Sequence, residues 1–306
     1  MTVHNFVNLS ADPPRILAAT DLSDAAAEVI RQADAHALAV GGALAACHVL
    51  PSMRVHMLFP QDYVREALDE STLDERVRAT VGASVTSITG RPPTSLEVFV
   101  QHGSDYAEIV RCAEAWRATL IAVGGDGRPG ASGGFLGGAS SRVVRYAHCS
   151  VLVARPPARR GLVVAATDLS AESLPAVEAA VAEARQRGAH LVVLHVVDQG
   201  VPLASAALSV GMTPVLFSPE LLHDLREAVR AKIEMVLAKL HAHADLTIVE
   251  GHAAPTILQY VEAHRPELVV VGTRGRSGLT RILLGSVAEH VVRAAQSSVL
   301  VVRLPS

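Results

Sequence analysis

Three glycines and a serine in the last third of the chain have the spacing of an anion-binding loop. The segment GTRGRSGLTRILLGSVAEH places Gly272, two residues, Gly275, nine residues, then Gly285 and Ser286. Glycine admits positive φ and lets backbone N–H groups approach an anion closely. Ser286 is expected to open a helix, where unpaired N–H groups and the helix dipole favour phosphate and the hydroxyl adds a donor. A polyphosphate fits such a loop without a lysine, and the chain has lysine only at Lys232 and Lys239. Two plainer readings compete. Ser286-Val-Ala-Glu289 matches a capping box, which would spend the hydroxyl on the helix itself, and Gly272 and Gly275 suit an ordinary turn at a strand end. The spacing as a whole decides more than either piece.

The same pattern occurs earlier, because the chain is a repeat. RILAATDLSDAA from Arg15 and GLVVAATDLSAES from Gly161 place Thr-Asp-Leu-Ser at Thr20 and Thr167, 147 residues apart. ALAACHVL and LVVLHVV place His48 and His195 at the same separation. Gly103 and Gly251, Gly124 and Gly272, and Gly137 and Gly285 pair at 148, so one insertion or deletion separates two colinear halves. The boundaries expected are 1–156 and 157–306, with ARPPARRG (Ala154 to Gly161) as an exposed linker rich in proline and arginine.

Each half reads as alternating strand and helix. In the second, LVVAAT precedes a Ser170-led helix stopped by Gly188, then HLVVLHVV. After a loop come the helix ELLHDLREAVRAKIEMVLAKLHAHA, strand LTIVEG, helix APTILQYVEAHR, strand LVVVGT, the glycine loop, helix SVAEHVVRAA and strand VLVVR. Continuous apolar strands between amphipathic helices imply two α/β units, each with a doubly wound, Rossmann-like parallel sheet covered on both faces. Ligands in such sheets bind beyond the carboxyl ends of the strands, where the strand order reverses. If strands one and four are neighbours there, Asp21 or Asp168 after the first strand meets the glycine loop after the fourth.

With Gly272, Gly275, Gly285 and Ser286 matching G-x2-G-x9-G-[S/T], the chain resembles the universal stress protein family over essentially its whole length, twice. The first-strand Asp, the His-Val-Val end of strand two and the terminal VLVVR strand extend the likeness. The resemblance implies that Thr167, Asp168 and the backbone at Val196 hold adenine and ribose. It assigns the phosphates to Gly272, Arg274, Gly275, Gly285, Ser286 and Val287. The ligand implied is ATP, or ADP or AMP, with Mg²⁺ only as a companion of the phosphates. It also implies pairing through the last edge strand, either in a homodimer or internally between Ser150–Ala154 and Ser298–Arg303.

The first half departs from the pattern. GGDGRPGASGGFLGGASS keeps Gly124, Gly127 and Gly137 but has Gly138 where Ser or Thr is expected. Gly125, Gly130, Gly133 and Gly134 raise the entropy cost of ordering this loop, and Asp126 adds a negative charge. Thr20, Asp21 and Val49 are retained, so the expectation is a weak second site or none.

Other readings of the composition are weaker. A net charge of −3 leaves no electrostatic footprint for nucleic acid. Cys47, Cys112 and Cys149 are scattered and read as small buried hydrophobes in a reducing compartment. The N-terminus lacks the order of a signal peptide, which points to the cytoplasm. Gln199 to Pro219 is too broken by proline and glycine for a membrane span; it and Pro51 to Tyr63 read as connectors, with ligand lids or partner surfaces as the alternative. Gly125-Asp-Gly127-Arg-Pro-Gly130 matches a dinucleotide fingerprint but lacks the acid about twenty residues on. Ser132 sits in a nucleophile-elbow pattern that does not leave a strand directly. His241 and His243, two apart at a helix end, face different ways, and no Cys/His cluster suggests metal. His48 and His195 read as packed or surface histidines near the pocket. The function expected is a nucleotide-responsive stress regulator, not an enzyme. A slow ATP hydrolase or phosphoryl transferase working through Asp168 lacks a Walker lysine, and a nucleotide-free scaffold is the third reading.

Overall fold

A computed structural model describes residues 12–51, 70–125, 137–197, 219–273 and 284–304. The chain falls into two compact units, the second of which takes over at Arg155. In the first, β1 (Arg15–Ala19), α1 (Ala26–Ala39), β2 (Ala43–Pro51), α2 (Glu70–Thr89), β3 (Glu97–Gly103), α3 (Asp105–Ala115), β4 (Leu120–Gly124), α4 (Gly138–Tyr146) and β5 (Ser150–Ala154) follow in order. The second has β6 (Leu162–Ala166), α5 (Leu174–Arg187), β7 (His190–Val197), α6 (Pro219–Lys239), β8 (Asp245–Glu250), α7 (Ala253–His264), β9 (Leu268–Gly272), α8 (Ser286–Ala294) and β10 (Ser298–Val302).

The strand order is β3-β2-β1-β4-β5 in the first unit and β8-β7-β6-β9-β10 in the second, and the pairings are parallel. The chain therefore winds outward from β1 to β3, then returns to build β4 on the other side. Ile16 lies opposite Leu120, and Val163 opposite Leu268. Strands one and four are thus neighbours in each unit, and the crevice at their carboxyl ends is the switch point.

The first helix of each unit lies over the two central strands, β1 and β4 or β6 and β9, while α3 and α4, like α7 and α8, pack together elsewhere on their sheet. The central strands are consequently buried on both sides. Ile16 and Leu17, Val163 to Ala165, and Leu268 to Val270 are fully buried. Each such aliphatic side chain contributes about 1.5–3 kcal/mol relative to exposure, which is why these strands read as unbroken apolar runs rather than alternating ones.

Gly188 stops α5 in the left-handed region at φ +59, its neighbour's amide returning to Ala184 O at 2.8 Å. Gly251, at φ +141 between β8 and α7, has no room for a side chain, since a Cβ would lie 2.6 Å from Thr256 Oγ1.

Three sequence expectations need adjustment. The helix after β6 begins at Leu174, not at Ser170, because Ser170 is committed to the turn described below. His241 lies past the end of α6, at φ +48. The linker is not exposed throughout: Arg155 is buried, its guanidinium donating to the carbonyls of Ser297 and Val292 at 3.1 and 2.7 Å. Those carbonyls, at the end of α8 and just beyond it, attract a cation that a solvent-facing arginine would leave unused. Cys47 on β2 and Cys112 on α3 are buried, and the hydrogen bond between their thiols, with burial, pushes Cys47 up. The segments 52–63 and 199–218, with Ser132, lie outside the described residues.

Candidate functional site

The site begins with the turn that leaves the first strand of each unit. In the second unit, Thr167 Oγ1 accepts the Leu169 amide at 3.0 Å, and Asp168 Oδ1 accepts the amide and hydroxyl of Ser170 at 3.0 and 2.6 Å. In the first, Thr20 Oγ1 accepts the Leu22 amide at 3.1 Å, and Asp21 Oδ1 accepts the Ser23 amide and hydroxyl at 3.0 and 2.6 Å. The leucines sit in the left-handed region, at φ 61 and 63. That conformation costs an ordinary side chain roughly 1–2 kcal/mol, and the Thr and Asp hydrogen bonds offset it.

The histidines complete the turn. His195 Nδ1 donates to the Thr167 carbonyl and His48 Nδ1 to the Thr20 carbonyl, each at 2.8 Å. A carbonyl only accepts, so Nδ1 carries the proton in both. The Thr167 amide in turn bonds Leu194 O, and the Thr20 amide bonds Cys47 O. Strand two therefore holds the threonine of the turn at both its amide and its carbonyl. These histidines position the turn, a role beyond the packed or surface reading. The signal was present, since His repeats at the same separation as Thr-Asp-Leu-Ser.

Burial pushes the Asp21 carboxyl up, but the hydrogen bonds from Ser23 and the nearby His48 outweigh it and hold the group below its ordinary value of 3.8. The carboxylate is the form this turn is built around.

The glycine loop's two ends meet on the other side of the crevice. Gly272 ends β9 opposite Val302, the Thr273 amide donates to Val302 O at 3.1 Å, and the Gly285 amide donates to Thr273 O at 2.8 Å. Gly285 is the N-cap of α8, at φ −64 and ψ 148, and Ser286 is its first helical residue. The N-cap makes no side-chain hydrogen bond and Ser286 stands one residue inside it, so the capping box, which needs Ser286 as the cap, is not formed; Ser286 is exposed. The first intrahelical bond is that of the Glu289 amide to Gly285 O. The amides of Ser286, Val287 and Ala288 precede it and have no partner within the helix itself. The switch point thus brings the Asp168 turn and the start of α8 to the same end of neighbouring strands. Val196 lies one residue beyond His195 on β7. Arg274 and Gly275, like Gly127, lie outside the described residues.

The first unit repeats this with a difference. Gly137 is the N-cap of α4 and Gly138 the first helical residue, so no hydroxyl stands where Ser286 does. Two residues later, Ser140 Oγ donates to the Gly124 carbonyl at 2.7 Å, tying the helix start to the end of β4. Val49 lies next to His48 on β2, opposite Gln101 of β3.

Fold and site together define a doubly wound α/β unit built twice over, with an Asp turn and a glycine-led helix at each switch point. The universal stress protein family model matches residues 14–155 and again 161–303, and the chain belongs to that family. Universal stress protein Rv1996 of Mycobacterium tuberculosis is 33% identical over 204 residues, 62% of this chain and 60% of that protein. The chain thus spans about 60% of the length of these mycobacterial relatives. Universal stress protein MJ0531 of Methanocaldococcus jannaschii is 34% identical over 148 residues, 47% of this chain and 82% of that protein. Among solved structures, a universal stress protein from Archaeoglobus fulgidus has a TM-score of 0.61 at 20% identity, over 95% of this chain and 97% of that one. This last likeness concerns the fold. Among the described residues no helix is long and apolar enough to cross a membrane.

Proposed function

We propose that the second unit binds ATP or a related adenine nucleotide at the β6–β9 switch point, and that the chain acts as a nucleotide-responsive regulator rather than an enzyme. What supports this reading is that the start of α8, with no side-chain hydrogen bond at its cap and with Ser286 exposed, follows β9, the neighbour of the strand β6 from which the Asp168 turn leaves. Phosphates would be held by the amides and hydroxyl of Gly285, Ser286 and Val287, together with Gly272, Arg274 and Gly275 of the loop. Asp168, Thr167 and the backbone at Val196 would hold ribose and adenine. Among the described residues no three His, Cys, Asp or Glu side chains gather to hold a metal. Mg²⁺ would therefore enter with the phosphates, bound chiefly by them and water.

The first unit keeps the Asp turn but has Gly138 in place of the serine, and it is assigned weak binding or none. Isothermal titration of the full chain with ATP, ADP and AMP tests the reading. A single class of site, lost in Asp168→Ala, is expected; no binding of any of the three would move the chain to a nucleotide-free scaffold.

A further inference from the structure

Lys232 is one of two lysines in the chain, and it stands on α6, far in sequence from the Asp turn. Its Nζ donates to the Leu169 carbonyl at 2.6 Å, across 63 residues. Thr167 Oγ1 already holds the amide of Leu169, and His195 holds the carbonyl of Thr167. Lys232 thus fastens the peptide oxygen immediately after Asp168, at the residue with left-handed φ. A second brace stands beside it: Ser173 Oγ lies 2.8 Å from Thr167 Oγ1 and donates to Ser170 O at 3.1 Å.

Among the described residues the first unit shows neither brace. Repeat alignment puts Ala26 at the position of Ser173, counting from the Thr-Asp-Leu-Ser motif. The fully buried pair Val85 and Ile233, 148 residues apart, puts Ser84 at the position of Lys232. A serine is too short and uncharged to replace an ammonium reaching from a helix to a carbonyl. Consistently, Leu169 is 5% exposed and Leu22 is 37% exposed.

We infer that Lys232 is a positioning residue for the nucleotide site of the second unit, fixing the Leu169 peptide so that Asp168 is presented in one geometry, and that its absence contributes to the weaker first site. The inference rests on the proposed nucleotide reading. Lys232 acts through the backbone and is not assigned a contact with the ligand. An ammonium fixed beside the Asp turn also adds positive charge where a polyanion would approach.

The test uses the full-length chain and its Lys232→Met and Lys232→Arg variants. ATP affinity is measured by titration, and amide hydrogen exchange at Leu169 and Ser170 is followed in nucleotide-free protein. Loss of one charge-assisted hydrogen bond predicts about ten-fold weaker ATP binding in Lys232→Met. Substantial recovery is expected in Lys232→Arg, and faster exchange at Leu169 and Ser170 in Lys232→Met before ATP is added. Wild-type affinity in Lys232→Met, or unchanged exchange at the turn, overturns the inference while leaving the site itself intact. Wild-type protein that binds no ATP, with exchange still faster in Lys232→Met, overturns the nucleotide reading and supports the positional role alone.

Discussion

The two units share one turn and differ in what surrounds it. Thr20-Asp21-Leu22-Ser23 and Thr167-Asp168-Leu169-Ser170 have matching hydrogen bonds, matching left-handed leucines and matching histidines beneath them. Around the second, Lys232 and Ser173 add braces, and Ser286 opens the facing helix. Around the first stand Ser84, Ala26 and Gly138, and Ser140 is turned inward onto Gly124. The fold, built twice, carries the backbone device in both units and the side chains proposed for the ligand site in one. Persistence of the turn alone is therefore a poor marker of function, because it also satisfies the end of a buried strand.

The largest expected contrast is between Asp168→Ala and Asp21→Ala. The first should weaken ATP binding by roughly a hundred-fold or more, through the loss of strong hydrogen bonds to a charged group, and the second should leave it within about two-fold. Titration calorimetry reads both, and equal losses would erase the distinction between the units. Next comes stability. His195→Ala removes a buried donor and leaves the Thr167 carbonyl unpaired, at a cost of about 1–3 kcal/mol in urea unfolding. His48→Ala should cost less, because His48 is only half-buried where His195 is buried. A larger loss at His48 would mean that the first turn is the more tightly held.

Gly188→Ala should destabilise the second unit by about 1 kcal/mol, since its φ of +59 suits glycine and strains an alanine. Thermal unfolding measures this. The smallest effect concerns acid. Asp21 has its folded value depressed, so its stabilising contribution is present above the ordinary carboxylate value and is lost as pH falls through the depressed one. Asp21→Asn should flatten the acid limb of the stability curve slightly, with no change near neutrality in the shape of the profile; a steeper acid limb would contradict the assignment.

Much of this architecture was legible in the chain. Apolar runs located the strands, and the Thr-Asp-Leu-Ser and glycine repeats aligned the two halves. Local patterns carried those features. Adjacency of β1 to β4 and of β6 to β9 is a pairing across about a hundred residues, which no local pattern encodes, and the site depends on it. The start of α5 was missed because Ser170 is as good a cap as Ser173 by composition, yet its hydroxyl is drawn to Asp168. Arg155 looked like linker because its carbonyl partners lie more than 130 residues away. Lys232 left no mark beyond its rarity, since its partner is a backbone oxygen that any residue could supply.

The central claim, one nucleotide site per chain and that site in the second unit, is tested most directly by the small molecules carried by purified, undialysed protein. The protein is denatured, and the released molecules are identified and counted beside a Gly275→Ala and Ser286→Ala double variant. About one adenine nucleotide per chain, lost in the variant, is the predicted result. No nucleotide even after ATP is supplied, or an amount unchanged by the double substitution, would contradict it.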